Sequence, residues 1–468
     1  MQPLDTDDVY GREHVPALTA AESAARDREA IERDAVPERV LMENAGRAAA
    51  LVLERMYPRG RVVAALGGGN NGGDGLVMLR TLRAWGREVA WLRAGSRAPD
   101  PALAHGFELP ELDAAEAERA FASGDVLVDG ILGTGARGAP REPAATVIRA
   151  MNASGRPVLA LDLPSGVDPT TGAVPGGAVD AAATVCFGWP KRGLLFQPGR
   201  SRCGRLLAAE IGFPPGITGD AAVLTPAWAA ARLPVRSPDA HKGATGRTLV
   251  VAGSAGMAGA AVIAARGATR AGAGLVYVAS APENRVVIQT SVPEAIFVGE
   301  EGAPLDEAIE RVDAFVVGPG LGADEAGARR LDRILADAGR RPVLLDADAL
   351  NLLAGRDDGL REAVAGRAAV ATPHPGEFAR LTGASIEAVG SDPIGAAAGL
   401  AEAAGCVVLL KGAPSVVAAP DRATLVTSVG SSDLATAGMG DLLSGAAGAF
   451  LAAGVEPRDA AALALFYT

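Results

Sequence analysis

The residues with most to offer chemically sit in short runs that follow apolar stretches. Gly67-Gly68-Gly69-Asn70-Asn71-Gly72-Gly73-Asp74-Gly75 holds six glycines in nine positions. Glycines let a backbone turn tightly and approach a phosphate, and a helix starting after them would add unpaired N–H groups. A tight turn with no ligand would also use glycines, but Asn70, Asn71 and Asp74 add oxygen-bearing side chains that a turn does not need. Further on, Asp129 leads into Gly130–Gly135, and Asp162-Leu163-Pro164-Ser165-Gly166-Val167-Asp168 closes another apolar stretch. Asn71, Asp129 and Ser165 could converge to offer neutral and anionic oxygens to a hard cation. Taken singly, Asp129 reads first as a turn or cap residue. Asp162 is the better proton carrier, because a carboxylate at the end of a buried strand has a tunable pKa.

The 44 cations comprise 41 arginines and only three lysines, Lys191, Lys242 and Lys411. Against that bias each lysine is either a chance survivor or a compact, titratable charge retained for work that a planar guanidinium does badly.

Elements must position these residues, and the first half supplies them as apolar run, turn and helical pattern in alternation. Arg61–Leu66 leads into Gly67–Gly75 and a helix to about Trp85; Val89–Leu92, Val126–Asp129 and Val158–Leu161 follow. That alternation predicts a parallel sheet with crossover helices. Ahead of it, Ala20–Ala35 and Arg39–Tyr57 have helical spacing, and Thr19 with Glu22 fits a capping box. Between Phe213 and His241 the pattern lapses into prolines, which places a domain boundary at about 215–240. The second half restarts with strands at Thr248–Ala252, Leu275–Ala279, Ala314–Val317, Val343–Leu345, Ala369–Ala371 and Val407–Leu410, and a helix at Ala258–Ala271. Unusual residues again gather at strand ends, where open α/β sheets bind ligands.

With 468 residues, 49% of them apolar, the chain can bury a sizeable core. A formal charge of −11 disfavours nucleic acid as a partner. Cys186, Cys203 and Cys406 give neither a disulfide framework nor a zinc knuckle, which suits a reducing cytoplasm. Asp5, Asp7 and Asp8 stand where a signal peptide needs basic residues, and no stretch reads as a membrane span.

Leu41-Met42-Glu43-Asn44-Ala45-Gly46, the Asn-Asn-Gly-Gly-Asp-Gly run, Gly133-Thr134-Gly135 and Asp162-Leu163-Pro164-Ser165-Gly166, in this order, resemble the NAD(P)H-hydrate epimerase domain. The second half resembles the NAD(P)H-hydrate dehydratase domain through His241-Lys242-Gly243, Gly253-Ser254, Val317-Gly318-Pro319-Gly320-Leu321-Gly322, Thr372-Pro373-His374-Pro375-Gly376-Glu377, Lys411-Gly412 and Gly438-Met439-Gly440-Asp441. Over nearly its whole length the chain thus resembles the bifunctional NAD(P)H-hydrate repair family. The resemblance implies an α/β chain with a Rossmann-like three-layer domain over residues 1–217 and a ribokinase-like α/β domain over 225–468. It implies epimerisation of the R and S hydrates of NADH and NADPH in the first domain and ADP-dependent dehydration of the S hydrate in the second.

Carried across, Asn70, Asn71, Gly72, Gly73 and Asp74 with Gly133, Thr134, Gly135, Ala136, Arg137, Gly138 and Ala139 would hold the hydrate, Asp162 would contact it as the catalytic carboxylate, and Asn71, Asp129 and Ser165 would bind potassium. In the second domain Ala260, Gly322 and His374 would line the hydrate site, and Lys411, Gly412, Ala413, Pro414, Ser415 and Gly440 would hold ADP, or ATP, with Mg2+. Asp441 would take the hydroxyl proton. The bare reading of Gly440-Asp441 is an ordinary helix start over Leu442–Ala453 with an N-terminal acid. His374 lies between two prolines, which weakens its reading as a core histidine. A homo-oligomer acting on small molecules is expected. Met439 departs from the family, which usually has a small or hydroxylated residue there. The chain ends at Thr468 inside a helical pattern, where the family continues, so an incomplete last layer is also expected. Two competing readings are a vitamin or sugar kinase fused to a nucleotide-binding domain, and a scaffold whose first domain only binds ligands or proteins.

Overall fold

The computed structural model describes residues 13–214, 216, 218–427 and 436–468, so Asp5, Asp7 and Asp8 lie outside the described residues. The chain divides into two compact α/β units, Met1–Thr225 and Pro226–Thr468.

In the first unit the strands are β1 (Val15–Pro16), β2 (Val62–Leu66), β3 (Val89–Arg93), β4 (Glu111–Leu112), β5 (Val126–Gly130), β6 (Val158–Leu161), β7 (Ala183–Phe187), β8 (Arg205–Ala209) and β9 (Ala221–Leu224). Helices α1 (Ala20–Glu32), α2 (Glu38–Met56), α3 (Asn70–Ala84) and α4 (Ala144–Ala153) matter most below. Strands β2 to β8 form an all-parallel sheet in the order β4-β3-β2-β5-β6-β7-β8. Val62, Ala64 and Leu66 pack into one core with α2 and α3, while Val63 and Ala65 pack into another with α4. A sheet covered on both faces explains why its strands are uninterrupted apolar runs. Thr19 and Glu22 form the expected capping box on α1.

The glycine-rich run is a loop only as far as Gly69. Asn70 to Gly75 form the first turns of α3, buried from Asn71 onward, so packing overrides the poor helix propensity of glycine. Strand order reverses between β2 and β5, and the crevice outside their carboxyl ends is the place where open α/β sheets take ligands.

The second unit continues with β10 (Arg247–Val251), β11 (Leu275–Ala279), β12 (Ile296–Phe297), β13 (Ala314–Val317), β14 (Val343–Leu345), β15 (Ala369–Ala371), β16 (Val407–Leu410), β17 (Val416–Ala418) and β18 (Thr424–Thr427). These run side by side as β18-β17-β16-β15-β14-β13-β10-β11-β12, parallel except for β17 and β18. Helices α5 (Ala258–Arg270), α6 (Pro375–Thr382) and α7 (Met439–Ala452) cover the site end. Helix α7 lies so close to α5 that a methyl on Gly445 would stand 1.9 Å from the Ala264 carbonyl oxygen. That contact fixes the height of α7 and therefore of its N-terminus, which begins three residues before Leu442, so Asp441 lies within the first turn. Among the described residues no helix is long and apolar enough to cross a membrane, and the three cysteines are buried and unpaired.

Candidate active sites

In the first unit a cavity of about 900 Å³ opens at the β2/β5 crevice. Its walls come from α1, the start of α3, the loop after β5 and the ends of β6 and β7. Gly67 has to be glycine because a methyl there would meet the Ile131 carbonyl oxygen at 2.0 Å, where the loops after β2 and β5 touch. At the cavity wall Asp162 holds a left-handed backbone conformation, φ +65°. A non-glycine residue kept there costs roughly 1–3 kcal/mol and persists only where its surroundings demand it.

The demand comes from Lys191. Its ammonium bonds the Asp162 Oδ1, the Phe187 and Trp189 carbonyls complete its shell, and the Phe187 amide donates to the same carboxylate at 3.2 Å. Burial alone would depress the lysine, but the Asp162 charge outweighs it and holds the ammonium above its ordinary range. Asp74, buried beside this pair, is pushed well above the usual carboxylate range by burial and then by the Asp162 charge, and Asp27 is raised for the same two reasons, with Lys191 opposing. The cavity therefore juxtaposes an ion pair with two carboxyls raised above their ordinary range, a set suited to moving protons.

Behind the wall the Ser165 Oγ donates to Asp129 Oδ1 at 2.6 Å, and the Ser165 amide donates to Oδ2 at 2.7 Å. Burial lifts Asp129 to about 6. The Asn71 amide nitrogen donates to the Leu132 and Leu161 carbonyls at 2.8 and 3.1 Å. Its Oδ1 is buried with no hydrogen-bond partner, and such an orphaned acceptor calls for a cation or a donor.

In the second unit Lys411 at the end of β16 places its Nζ 2.7 Å from Asp346 Oδ1 and 3.7 Å from Glu377 Oε2. Asp346, at the end of β14, also accepts the Ser444 hydroxyl at 2.6 Å. Burial alone would lower Lys411, but the Asp346 and Glu377 charges keep it above its ordinary range. Asp441 is pushed up to about 6, by burial first and then by the Asp346 charge, with Lys411 opposing. Asp348 turns away from Asp346 to accept the Gly322 amide at 2.9 Å.

Two family models divide the chain: YjeF-related protein N-terminus matches residues 38–193, and NAD(P)H-hydrate dehydratase matches residues 248–468. A bifunctional NAD(P)H-hydrate repair enzyme Nnr from Moorella thermoacetica is 37% identical, covering 96% of this chain and 90% of that one. The chain belongs to the family of bifunctional NAD(P)H-hydrate repair enzymes. The family member of the same name from Escherichia coli is 39% identical over 90% of this chain and 82% of its own. An ADP/ATP-dependent NAD(P)H-hydrate dehydratase from Bacillus subtilis, co-crystallised with ATP/Mg2+, is 31% identical and covers 52% of this chain and 86% of its own, with a TM-score of 0.47.

Set against the family's expected sites, the structure brings Asn70, Asn71, Asp74, Asp162 and the loop from Gly133 to Ala139 to one cavity. Gly72 and Gly73 do not line it: methyls there would meet the Gly67 carbonyl oxygen and Met42, so both are required as glycines by packing. Asp129 and Ser165 lie behind the cavity wall and reach it through Asn71 and Leu132. In the second unit Lys411 and Gly440 are neighbours, and Asp441 shares their electrostatic field. Gly322 joins them through Asp348, and Ala260 lies under Gly320. Gly412, Ala413, Pro414 and Ser415 form a loop in which the Ser415 hydroxyl bonds both the Gly412 amide and carbonyl, so that hydroxyl already has a structural partner. His374 is the N-cap of α6, its half-exposed ring accepting from the Gly376 amide at 3.0 Å while Glu377 returns the capping box. Lys191, Asp346, Asp348 and Glu377 were not among the expected site residues. Lys191 had left a signal as one of three lysines, Glu377 as part of the Thr372–Glu377 motif, and Asp346 as the residue that ends a strand.

Proposed function

We propose that the first unit interconverts the C6 epimers of hydrated NADH and NADPH, and that the second removes water from the S epimer with ADP, or ATP, as co-substrate. The observation that carries the reading is that each unit has its own carboxylate–lysine pair beyond the carboxyl ends of parallel strands, buried in Asp162–Lys191 and partly buried in Asp346–Lys411.

In the first unit Asn70, Asn71, Asp74 and the Gly133–Ala139 loop line the place for the dinucleotide. A carbinolamine carbon epimerises by reversible ring opening or reversible loss of water, and both routes need a group that gives and takes a proton at the C6 oxygen. Asp162 is that group, kept oriented by Lys191 and the Phe187 amide. The orphaned Asn71 Oδ1, connected through Leu132 to Ser165 and Asp129, fits a potassium ion, since the candidate ligands are all oxygens and carry a single carboxylate. Bound there, the ion would supply fixed positive charge near the dinucleotide.

In the second unit the hydroxyl of the S hydrate leaves poorly as it stands. Asp441 takes its proton while the oxygen attacks the terminal phosphorus, and AMP leaves when ADP is the donor. The ring nitrogen then expels phosphate from C6, and loss of a C5 proton restores the double bond. Gly440 and its neighbours at the start of α7 supply amide donors for the transferring charge. Lys411 and the loop to Ser415 hold the nucleotide, and Ala260, Gly322 and His374 border the hydrate. Mg2+ would enter with the nucleotide beside Lys411 and the loop to Ser415 and would supply positive charge for the phosphoryl group in transfer.

The test is recovery of absorbance at 340 nm from a mixture of both hydrates, with ADP, with ATP and with neither. Complete nucleotide-dependent recovery is expected. Transfer of phosphate to a vitamin or sugar with no recovery would favour the kinase reading.

A further inference from the structure

Lys411 is placed with more care than holding a nucleotide requires. Its ammonium lies between the buried carboxylates Asp346 and Glu377, and a methyl built on Gly440 would sit 3.3 Å from Nζ and 3.8 Å from Asp346 Oδ2. The ammonium therefore adjoins the first turn of α7, which itself carries partial positive charge. The ammonium and the helix start would repel each other but for the Asp346, Glu377 and Asp441 carboxylates around them, and the arrangement is held in place from below. Asp346 spends one oxygen on Lys411 and the other on Ser444, whose hydroxyl is fully buried one turn into the same α7. The backbone reinforces this: Ala347 has φ +48°, a strained conformation that sends Asp346 toward Lys411 and Asp348 toward the Gly322 amide.

We infer that Asp346 and Ser444 are positioning residues for the dehydration step: Ser444 orients the Asp346 carboxylate, which holds the Lys411 ammonium against the N-terminus of α7, where it meets the phosphoryl group as it passes from nucleotide to hydrate. Neither residue touches substrate. Without Asp346 the ammonium would be held by Glu377 alone and would shift toward Asp441, lowering the basicity of the group that has to take the hydroxyl proton.

The inference rests on the proposed nucleotide-dependent dehydration, and its test separates the two. Full-length wild type, Ser444→Ala, Asp346→Asn, Lys411→Gln and the double variant Asp346→Asn/Lys411→Gln are assayed on the S hydrate with ADP and Mg2+, recording kcat, the KM for ADP and the melting temperature. Charge stabilisation made only in the transition state appears in kcat, so Lys411→Gln should lose roughly 100-fold. Asp346→Asn should lose roughly tenfold or more in kcat, with the KM for ADP changed far less. Ser444→Ala, which removes one buried oxygen and little volume, should fall in the same direction without loss of the fold. The double variant, a neutral amide pair, should be no slower than Lys411→Gln alone, because the carboxylate acts only through the ammonium. Multiplicative losses in the double variant, or losses that track melting temperature with kcat per folded molecule unchanged, would make Asp346 and Ser444 a structural tie. A raised Mg2+ requirement in Asp346→Asn that excess Mg2+ rescues would make Asp346 a metal contact, again overturning the inference. Wild type that does not dehydrate with either nucleotide would sink the proposed activity, and the inference with it.

Discussion

Asp441 is held between opposing influences: burial and the Asp346 charge lift its carboxyl to about 6, while Lys411 pulls it down. A base with a pKa just below the working pH combines a large deprotonated fraction with a strong pull on the proton. Because only the carboxylate works, the dehydration rate should rise with pH through about 6 and then level. Asp441→Asn should abolish that limb and cut turnover by roughly 100- to 10,000-fold, with ADP binding measured by calorimetry nearly unchanged. A variant keeping more than half of wild-type turnover would remove Asp441 from the role. In the first unit, epimerisation should be faster in potassium than in sodium buffer, since the Asn71, Asp129 and Ser165 oxygens suit a large, weakly hydrated ion. Equal rates in the two salts would count against that set. At this scale the sequence made Asp162 visible by its place at a strand end, and Asp441 only through the family resemblance of Gly438-Met439-Gly440-Asp441, since a helix start by itself reads as an ordinary N-terminal acid. It did not show what holds them, because Lys191 is 29 positions from Asp162 and meets it only through the pairing of β6 with β7.

Elements set the heights at which these residues stand. Gly445 lets α7 lie against α5, and Gly445→Ala would drive a methyl into the Ala264 carbonyl, a backbone atom that cannot swing aside. Overpacking of this kind costs roughly 1–3 kcal/mol, so the variant should melt lower and dehydrate more slowly while epimerisation is untouched; equal loss of both activities would mean that the defect is global. Most strands were legible because apolar runs ending in glycine, aspartate or proline mark parallel strands with ligand-binding ends, and β2, β6, β11, β13 and β16 fall within a residue of their expected bounds. Strands β7 and β8 were not, because no α-helix lies between β6 and β8; irregular backbone and short 3-10 turns carry the chain across, and the expected alternation gives no cue. The antiparallel β17 and β18 broke the pattern in the same way. The start of α3 was misjudged because Asn70 to Gly75 carry three glycines, and only packing against β2 and α2 makes them helical.

At the scale of the whole molecule, one chain joins two chemistries that complement each other. Only one hydroxyl orientation can align with a nucleotide in a fixed phosphoryl-transfer site, so a dehydratase specific for the S epimer strands the R epimer unless something interconverts them. The assignment of interconversion to the first unit and dehydration to the second is the central claim. The most direct measurement follows separated R and S hydrates by chromatography, with ADP, in full-length Asp162→Asn, full-length Asp441→Asn and their mixture. Asp162→Asn should consume the S hydrate and leave R to its spontaneous exchange; Asp441→Asn should equilibrate R with S and form no NADH; the mixture should convert both. Consumption of R and S by Asp162→Asn at similar enzymatic rates, or a mixture no better than its parts, would contradict the division of labour between the two units.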